Sequence, residues 1–343
     1  MTIEEQSSMP IEENLSIAGF WKRLLALFVD SLLLGLVGLI LGLFFADYFS
    51  SIGGWGRAVG FAIAWPYLGI MNSRMCGGQT IGKRLLKLRV VSIDGAKLSI
   101  DKSLLRAAVF CLPVFLNGAA FSAEILQSWF VYVLTIVVFG FGLSTVYLYI
   151  FNRKTRQSLH DLVVGSIVVK TVNSPESVSM VPPWRGHYVV TTLILVASAI
   201  GPYFVLKLVD TEPFTGLLPL QKTLASEPGV TSANVGSGST IFKSTNAAAQ
   251  TREYLSANVI TANKNADFDA MANHLAGIIL AEYPASSGKD IISVAIAHGY
   301  DIGIASAWRS RNFAFSPSDW RKRIALQPSP TLPSGAVAVE SAH

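Results

Sequence analysis

The chain has 343 residues, of which 51% are hydrophobic and 14% are charged, and its formal net charge is +5. Soluble proteins carry about 25% charged residues, so this composition excludes an ordinary soluble chain and indicates a membrane protein. The basic residues lie beside apolar segments, where they orient membrane helices. Nucleic acid is therefore not expected as a partner.

Five apolar segments are predicted to cross the membrane, because about 20 apolar residues in a helix span a hydrocarbon core of roughly 30 Å. They cover residues 24–46, 56–71, 104–121, 125–151 and 188–208. The second contains Pro66, which a membrane helix tolerates when its neighbours satisfy the backbone. The third is interrupted by Pro113 and Asn117, and its alternative is a segment lying flat on the membrane surface.

Charge differs sharply between the connections that join these segments. The basic ones are 73–103, with Arg74, Lys83, Arg84, Lys87, Arg89, Lys97 and Lys102, and 152–187, with Arg153, Lys154, Arg156, Lys170 and Arg185. The connections 47–55 and 122–124 carry only Asp47 and Glu124. Basic loops stay in the cytoplasm. We therefore predict five crossings of the cytoplasmic (inner) membrane, a cytoplasmic N-terminus and an exported C-terminal region.

These features predict an α-helical polytopic membrane domain joined to a small α+β extracytoplasmic domain. The predicted divisions are a polar N-terminal segment (1–17), a four-span membrane domain (18–170), a cytoplasmic linker (171–187), the fifth span (188–208), the exported domain (209–326) and a disordered tail (327–343).

An arginine and an aspartate share one face of the first span. Arg23 and Asp30 are seven residues apart, which is two helical turns. An aspartate inside a span costs up to ~3 kcal/mol, so Asp30 should face a partner or a wet cavity. Two interpretations remain open: a carboxylate that handles an ion or proton, and a buried pair with Arg23 or Arg106 that fixes helix packing.

The glycine-rich segment 77–84 resembles a phosphate-binding loop only in part. Arg84 stands where such a loop needs Ser or Thr for magnesium, and an apolar span precedes the segment instead of a strand. Nucleotide hydrolysis is therefore not predicted. Gly78 and Gly82 are expected to turn the chain tightly at the membrane surface. Lys83, Arg84, Lys87 and Arg89 would then meet lipid phosphates, and Arg106 is grouped with this loop.

Two further runs in the basic connections are strand-like. Residues 88–95 alternate and end in Asp-Gly, a hairpin signal, and residues 158–169 form the second run. The second contains His160 beside Asp161. This pair is interpreted either as a proton relay or metal pair, or as a contact at a helix start or loop. One His and one Asp are too few ligands to define a metal site.

Taken in order, these segments resemble the RDD family of membrane proteins. The similarity lies in residues 18–30 (AGFWKRLLALFVD), 78–86 (GQTIGKRLL), 89–95 (RVVSIDG), 105–106 (LR) and 159–165 (LHDLVVG). The arginine and two aspartates that name the family correspond to Arg23, Asp30 and Asp161. The resemblance implies a helical membrane domain for which transport of ions or small solutes is the usual suggestion, and it implies no known enzyme activity.

The region after residue 208 resembles no family that we can name. A Pro- and Gly-containing linker is predicted over 211–229, followed by a weakly alternating region to about residue 263. A helix is predicted to start near Asn265 or Asp267, both good N-caps, and to end before Pro284. Its apolar face holds Phe268, Met271, Leu275 and Ile278.

The clearest strand of the exported region follows this helix. Ile292, Val294 and Ile296 alternate with small residues, and residues 298–301 are predicted to turn into a second strand over 302–308. A small antiparallel sheet covered by one helix is expected. His298, Asp301, Arg309 and Arg311 lie near the turn but lack the spacing of a catalytic site, so a polar hairpin rim is predicted.

Two functions follow from these patterns. In the first, the four-span unit moves or senses an ion or small solute, and the exported domain binds a protein partner or ligand and regulates it. In the second, the helices are an anchor that presents the exported domain to a partner without transport. Membrane lipids are partners in both. No enzyme activity, cofactor or metal is predicted.

Overall fold

The computed structural model describes residues 17–119, 121, 123–171, 182–209, 211, 214–242 and 250–326. The chain divides into two compact units. The first comprises Met1–Thr211 and Gly299–Trp308, and the second comprises Glu212–His298 and Arg309–His343. The predictions for the polar N-terminal segment, the tail from residue 327 and most of the linker 171–187 fall outside the described residues.

The first unit is built mainly of apolar helices. They are α1 (Phe20–Ile52), α2 (Gly56–Met71), α3 (Ile81–Leu85), α4 (Ile100–Leu116), α5 (Ala123–Leu126), α6 (Phe130–Thr135), α7 (Gly142–Phe151), α8 (Leu159–Val164) and α9 (Arg185–Val209). A π-helical stretch, Ile136–Phe141, joins α6 to α7, so that Phe130–Phe151 is one apolar helix.

Three helical stretches of the described chain are long and apolar enough to cross a membrane. They are Phe20–Met71, which contains α1 and α2, and then Phe130–Phe151 and Arg185–Leu208. Their mean hydropathies are 2.6, 2.1 and 2.1, and most of their residues face outward. Outward-facing apolar side chains on such helices are typical of a lipid-facing surface. The helix α4, at the predicted third span, has 17 residues and contains Pro113.

A two-stranded antiparallel sheet lies beside these helices. Strand β1 (Leu88–Ser92) pairs with β2 (Ser166–Lys170), with Val90 opposite Val168. The hairpin expected at Asp-Gly is therefore wrong, because Gly95 only closes a turn onto Ser92 and the partner strand comes from much later in the chain. The expected strand over 158–169 is also partly wrong. Residues 159–164 form α8, which ends at Gly165 in the left-handed conformation before β2 begins.

Residues 299–308 pack within the first unit, against α1 and α2. Tyr300 and Ile302 are buried with Phe49. At Gly60 a Cβ atom would lie 1.8 Å from the carbonyl oxygen of Ile302, so only glycine allows this approach. The approach of a backbone segment explains the glycine at that helical position.

The second unit is an α+β domain. Its elements are α10 (Phe214–Ser226), β3 (Val230–Phe242), β4 (Gln250–Thr261), α11 (Phe268–Glu282), β5 (Ile291–Asp301), β6 (Ser306–Phe315) and α12 (Pro317–Ala325). The sheet order is β3-β4-β5-β6. Strands β3 and β4 pair antiparallel, whereas β4 and β5 pair parallel. A parallel pair needs a crossover, and α11 provides it.

Some predictions for this unit are confirmed in detail. Asp267 caps α11 by accepting hydrogen bonds from the backbone N–H groups of Asp269 and Ala270. Ile292, Val294 and Ile296 are fully buried along β5.

Other predictions for this unit are wrong. The sheet is mixed rather than antiparallel, and helices α10, α11 and α12 all contribute to its core. The predicted linker 211–229 contains α10, whose Leu217, Leu220 and Leu224 are buried at helical spacing. Strand β5 continues to Asp301, so the turn predicted at 298–301 comes later, between Asp301 and Ser306.

Candidate functional site

Asp161 is the centre of a buried polar cluster in the first unit. Ser158 stands at the N-cap of α8, and its backbone N–H and hydroxyl donate to Asp161 Oδ2 at 3.3 and 3.1 Å. The hydroxyl of Ser166, at the start of β2, donates to Oδ1 at 3.0 Å. The capping geometry of a short helix therefore orients a carboxylate that is fully removed from solvent.

Two arginines from different helices converge on this carboxylate. Arg23 of α1 donates from Nη2 to Oδ2 at 2.7 Å. Arg106 of α4 donates from Nε and Nη2 to Oδ1, at 3.0 and 2.7 Å. Arg23 also donates to the carbonyl oxygen of Arg156. Asp161 thus connects α1, α4 and α8 through charge-assisted hydrogen bonds.

The electrostatics of the cluster keep Asp161 ionised. Burial by itself raises the pKa of Asp161, but the guanidinium groups of Arg106 and Arg23 outweigh burial and hold that pKa well below its usual range. His160, the next residue back, is buried, and burial lowers its pKa to about 3. Its ring lies 3.0 Å from the Ser158 hydroxyl and packs edge-on against Phe110. His160 is therefore a neutral neighbour in the first turn of α8.

Asp30 has its own set of hydrogen-bond donors. Its Oδ1 accepts from the Tyr67 hydroxyl and the Gly82 backbone N–H, both at 2.8 Å. Its Oδ2 accepts from the Thr80 hydroxyl at 2.5 Å. The predicted alternative of a direct pair between Asp30 and Arg23 or Arg106 is wrong, because both guanidinium groups bind Asp161 instead.

The glycine-rich segment packs against α1. A Cβ atom at Gly82 would lie 2.1 Å from the carbonyl oxygen of Ala26, so glycine is required for this contact. Gly78 has a φ of +75°, and a Cβ atom there would lie 2.4 Å from the carbonyl oxygen of Val90. Thr80 caps α3 by accepting from the Lys83 backbone N–H. The segment therefore places backbone and hydroxyl donors on Asp30.

Lys83 and Arg106, which were assigned to the membrane-surface loop, instead bind partners within the first unit. Lys83 donates from Nζ to Asn72 Oδ1 at 2.8 Å, and burial lowers its pKa to about 7. Arg106 is 7% exposed and bound to Asp161. Both placements correct the assignment of these cations to a membrane-surface loop, because their side chains line the cavity of the first unit. Arg84 and Lys87 are exposed, as a surface role requires. Gly78 lies at a tight turn with a positive φ, whereas Gly82 lies within α3 rather than at a turn.

A cavity of about 350 Å³ lies among these groups. Its polar lining residues are Arg23, Asp30, Asn72, Lys83, Arg106, Thr145, Tyr149 and His160, and its apolar ones are Phe20, Leu24, Leu27, Leu68, Ala107, Phe110, Val146, Ile150 and Val168. Cavities of this size, mostly apolar with a few convergent polar groups, are typical of small-ligand sites. Within the described residues, no group of three or more His, Cys, Asp or Glu side chains could hold a metal ion.

The polar residues near the β5–β6 turn do not converge. His298 contacts the Thr261 carbonyl oxygen, whereas Asp301 pairs with Arg57 at 2.7 Å. Arg311 pairs with Asp269, and Arg309 lies over the Phe268 ring. Each therefore has a separate structural partner.

Apolar helices around a buried cluster of charges define a helical membrane protein. The model of the RDD family matches residues 17–165, and this part of the chain belongs to that family. No curated protein and no solved structure matches the chain.

Several residues of the site were not singled out from the sequence. They are Tyr67, Asn72, Thr80, Ser158 and Ser166. Thr80 and Ser158 carry a usable signal, because each precedes a short helix as an N-cap. Tyr67 and Asn72 carry none, since their roles depend on how α2 packs beside α1 and α3.

Proposed function

We propose that the RDD-family region binds an ion or small solute in the cavity beside Asp30 and Arg106, and moves or senses it. The observation that carries this proposal is the cavity itself. Charged side chains inside a membrane region are costly, and they typically mark solute pathways or buried pairs. Arg23 and Arg106 are paired with Asp161 in a structural cluster. Asp30 and Lys83 line the cavity but do not belong to that cluster.

The topology that we propose has five crossings of the cytoplasmic (inner) membrane, with the N-terminus inside. The three long apolar stretches support it, since the first contains both α1 and α2. The third crossing of the scheme is α4, which is short for a full crossing. Its inclusion depends on the charge of the two basic connections, which the positive-inside rule keeps on one side.

The α+β unit is proposed to lie outside the cytoplasm and to bind a partner or ligand that regulates the membrane region. Its support is the order of elements, because the apolar helix α9 separates it from the RDD-family region. No catalytic step is proposed for either unit.

Flux into vesicles tests the proposal. Purified full-length protein is reconstituted, and the movement of protons, monovalent cations and small anions is followed. Asp30→Asn should abolish flux with little change in melting, because an amide of the same shape keeps most of the hydrogen bonds but cannot carry the charge. Asp94→Asn is the matched control, since Asp94 is exposed and lies outside the cavity. Normal flux in Asp30→Asn contradicts a transport role for this residue, and absence of flux in the unmodified protein favours the anchor.

A further inference from the structure

The cavity holds more positive than negative charge. Arg23, Lys83 and Arg106 line it, and the carboxylates that face these cations are Asp30 and Asp161. His160 is neutral, because burial lowers its pKa to about 3. Three cations against two carboxylates leave one positive charge without an offset when Lys83 is protonated. A buried charge without a partner is costly, so the cavity favours an anion.

Hydrogen-bond donors at the cavity are also in excess. Arg106 uses Nε and Nη2 on Asp161. Lys83 uses one N–H on Asn72. Within the described residues, Nη1 of Arg106 and two protons of Lys83 therefore have no acceptor. The Thr145 hydroxyl also lines the cavity and is buried without a partner in that part of the chain. Such donors suit the oxygens of an oxyanion.

One wall of the cavity reaches the apolar outer surface. Leu24 of α1 and Val146 and Ile150 of α7 line the cavity, yet they are 38%, 56% and 45% exposed. On membrane helices, such outward-facing apolar side chains meet acyl chains. The rim of the cavity between α1 and α7 is therefore accessible to lipid.

We propose that the cavity binds an amphiphilic monoanion from the bilayer, that is, a single oxyanionic head group carried on an apolar chain. The head group binds at Lys83 and Arg106, and the first part of the chain packs on Leu24, Val146 and Ile150. A volume of about 350 Å³ lies at the lower end of small-ligand sites. It accommodates a head group and the start of a chain, with the remainder in the membrane. This inference rests on the proposed function and specifies its ligand.

Binding of a pyrene-labelled phosphatidylglycerol to the purified full-length protein in neutral detergent tests the inference. Unlabelled phosphatidylglycerol should displace the probe, whereas phosphatidylcholine with the same chains and inorganic phosphate should not. Lys83→Gln should weaken probe binding by about tenfold, because it removes a charged hydrogen-bond donor. Lys222→Gln is the matched control: the same change on an exposed side chain of α10, outside the cavity lining, should leave binding unchanged.

A second pair of variants tests the site without removing a charge. Val146→Trp fills the rim and should abolish probe binding. Leu143→Trp, on the same helix but outside the cavity lining and 54% exposed, should not. The inference is overturned if phosphatidylcholine or inorganic phosphate displaces the probe as well as phosphatidylglycerol does. It is also overturned if Lys83→Gln and Val146→Trp both bind the probe as tightly as the unmodified protein. Solute flux without phosphatidylglycerol binding would support the proposed function and reject the lipid ligand. Phosphatidylglycerol binding without flux would support the lipid ligand and reject transport.

Discussion

Arg106 places two nitrogen donors on one oxygen of Asp161, with Nε at 3.0 Å and Nη2 at 2.7 Å. Both side chains are buried, and Arg23 occupies the other carboxylate oxygen. The arrangement satisfies the carboxylate completely, so its role is to fix the relative positions of helices. Arg23 and Arg106 also line the cavity, together with Lys83. The cluster that fixes the helices and the cavity therefore share residues.

Neutralising Asp161 should destabilise the protein strongly. Asp161→Asn leaves Arg23 and Arg106 buried without their anion, and breaking a buried pair costs about 3–5 kcal/mol. Thermal unfolding in detergent measures the loss. Asp94→Asn, at an exposed position, should change stability by less than about 0.5 kcal/mol. Equal melting temperatures for the two variants would refute a structural role for the cluster.

The glycine at position 60 should be irreplaceable. A Cβ atom there would lie 1.8 Å from the Ile302 carbonyl oxygen, so Gly60→Ala should cost roughly 1–3 kcal/mol through overpacking. Gly201 is the matched control, because it is helical and a Cβ atom there meets nothing within 4 Å. Gly201→Ala should stabilise by roughly 0.5–1 kcal/mol. Effects of the same sign at both sites would contradict the packing of residues 299–308 on α2.

The lysine at the cavity should make stability depend on pH. Burial lowers the pKa of Lys83 from its ordinary value of 10.5 to about 7. Between these pH values the unfolded chain binds a proton that the folded chain lacks, so stability should rise with pH from about 7 upward. Melting curves of the unmodified protein and Lys83→Gln, recorded from neutral to alkaline pH, should therefore diverge. Parallel curves would place Lys83 in solvent.

Reporter fusions should establish the side of the membrane on which each unit lies. A reporter active only outside the cytoplasm should work when fused after Leu326, which follows α12, and fail when fused at Ser177. The expected difference follows from the basic residues of the connections and from the odd number of crossings. Identical behaviour of the two fusions would remove the fifth crossing from the scheme.

Local sequence patterns predicted the elements but not their partners. The cap at Asp267, the buried alternation of Ile292 and Ile296, and the apolar helices follow from residue spacing alone. The pairing of Arg23 does not. Helical spacing places Arg23 and Asp30 on one face, but Arg23 binds Asp161, which comes 138 residues later in the chain. Such a distant contact leaves no periodic signal.

The same limit explains the errors in the sheets and in α10. The strand β1 pairs with a segment more than 70 residues away, and the Asp-Gly turn after it suggested a nearer partner. In α10, Pro219 and the nearby glycines indicated a linker, whereas the burial of Leu217, Leu220 and Leu224 stabilises a helix. Tertiary burial outweighed local propensity there.

The most direct test of the central claim, that the cavity is where a solute acts, is flux in vesicles containing the unmodified protein, Val146→Trp or Leu143→Trp. Val146 lines the cavity and Leu143 does not, although both are exposed apolar residues of α7. The account predicts that Val146→Trp stops flux while Leu143→Trp, equally well folded, retains it. Equal flux through all three proteins would contradict the account.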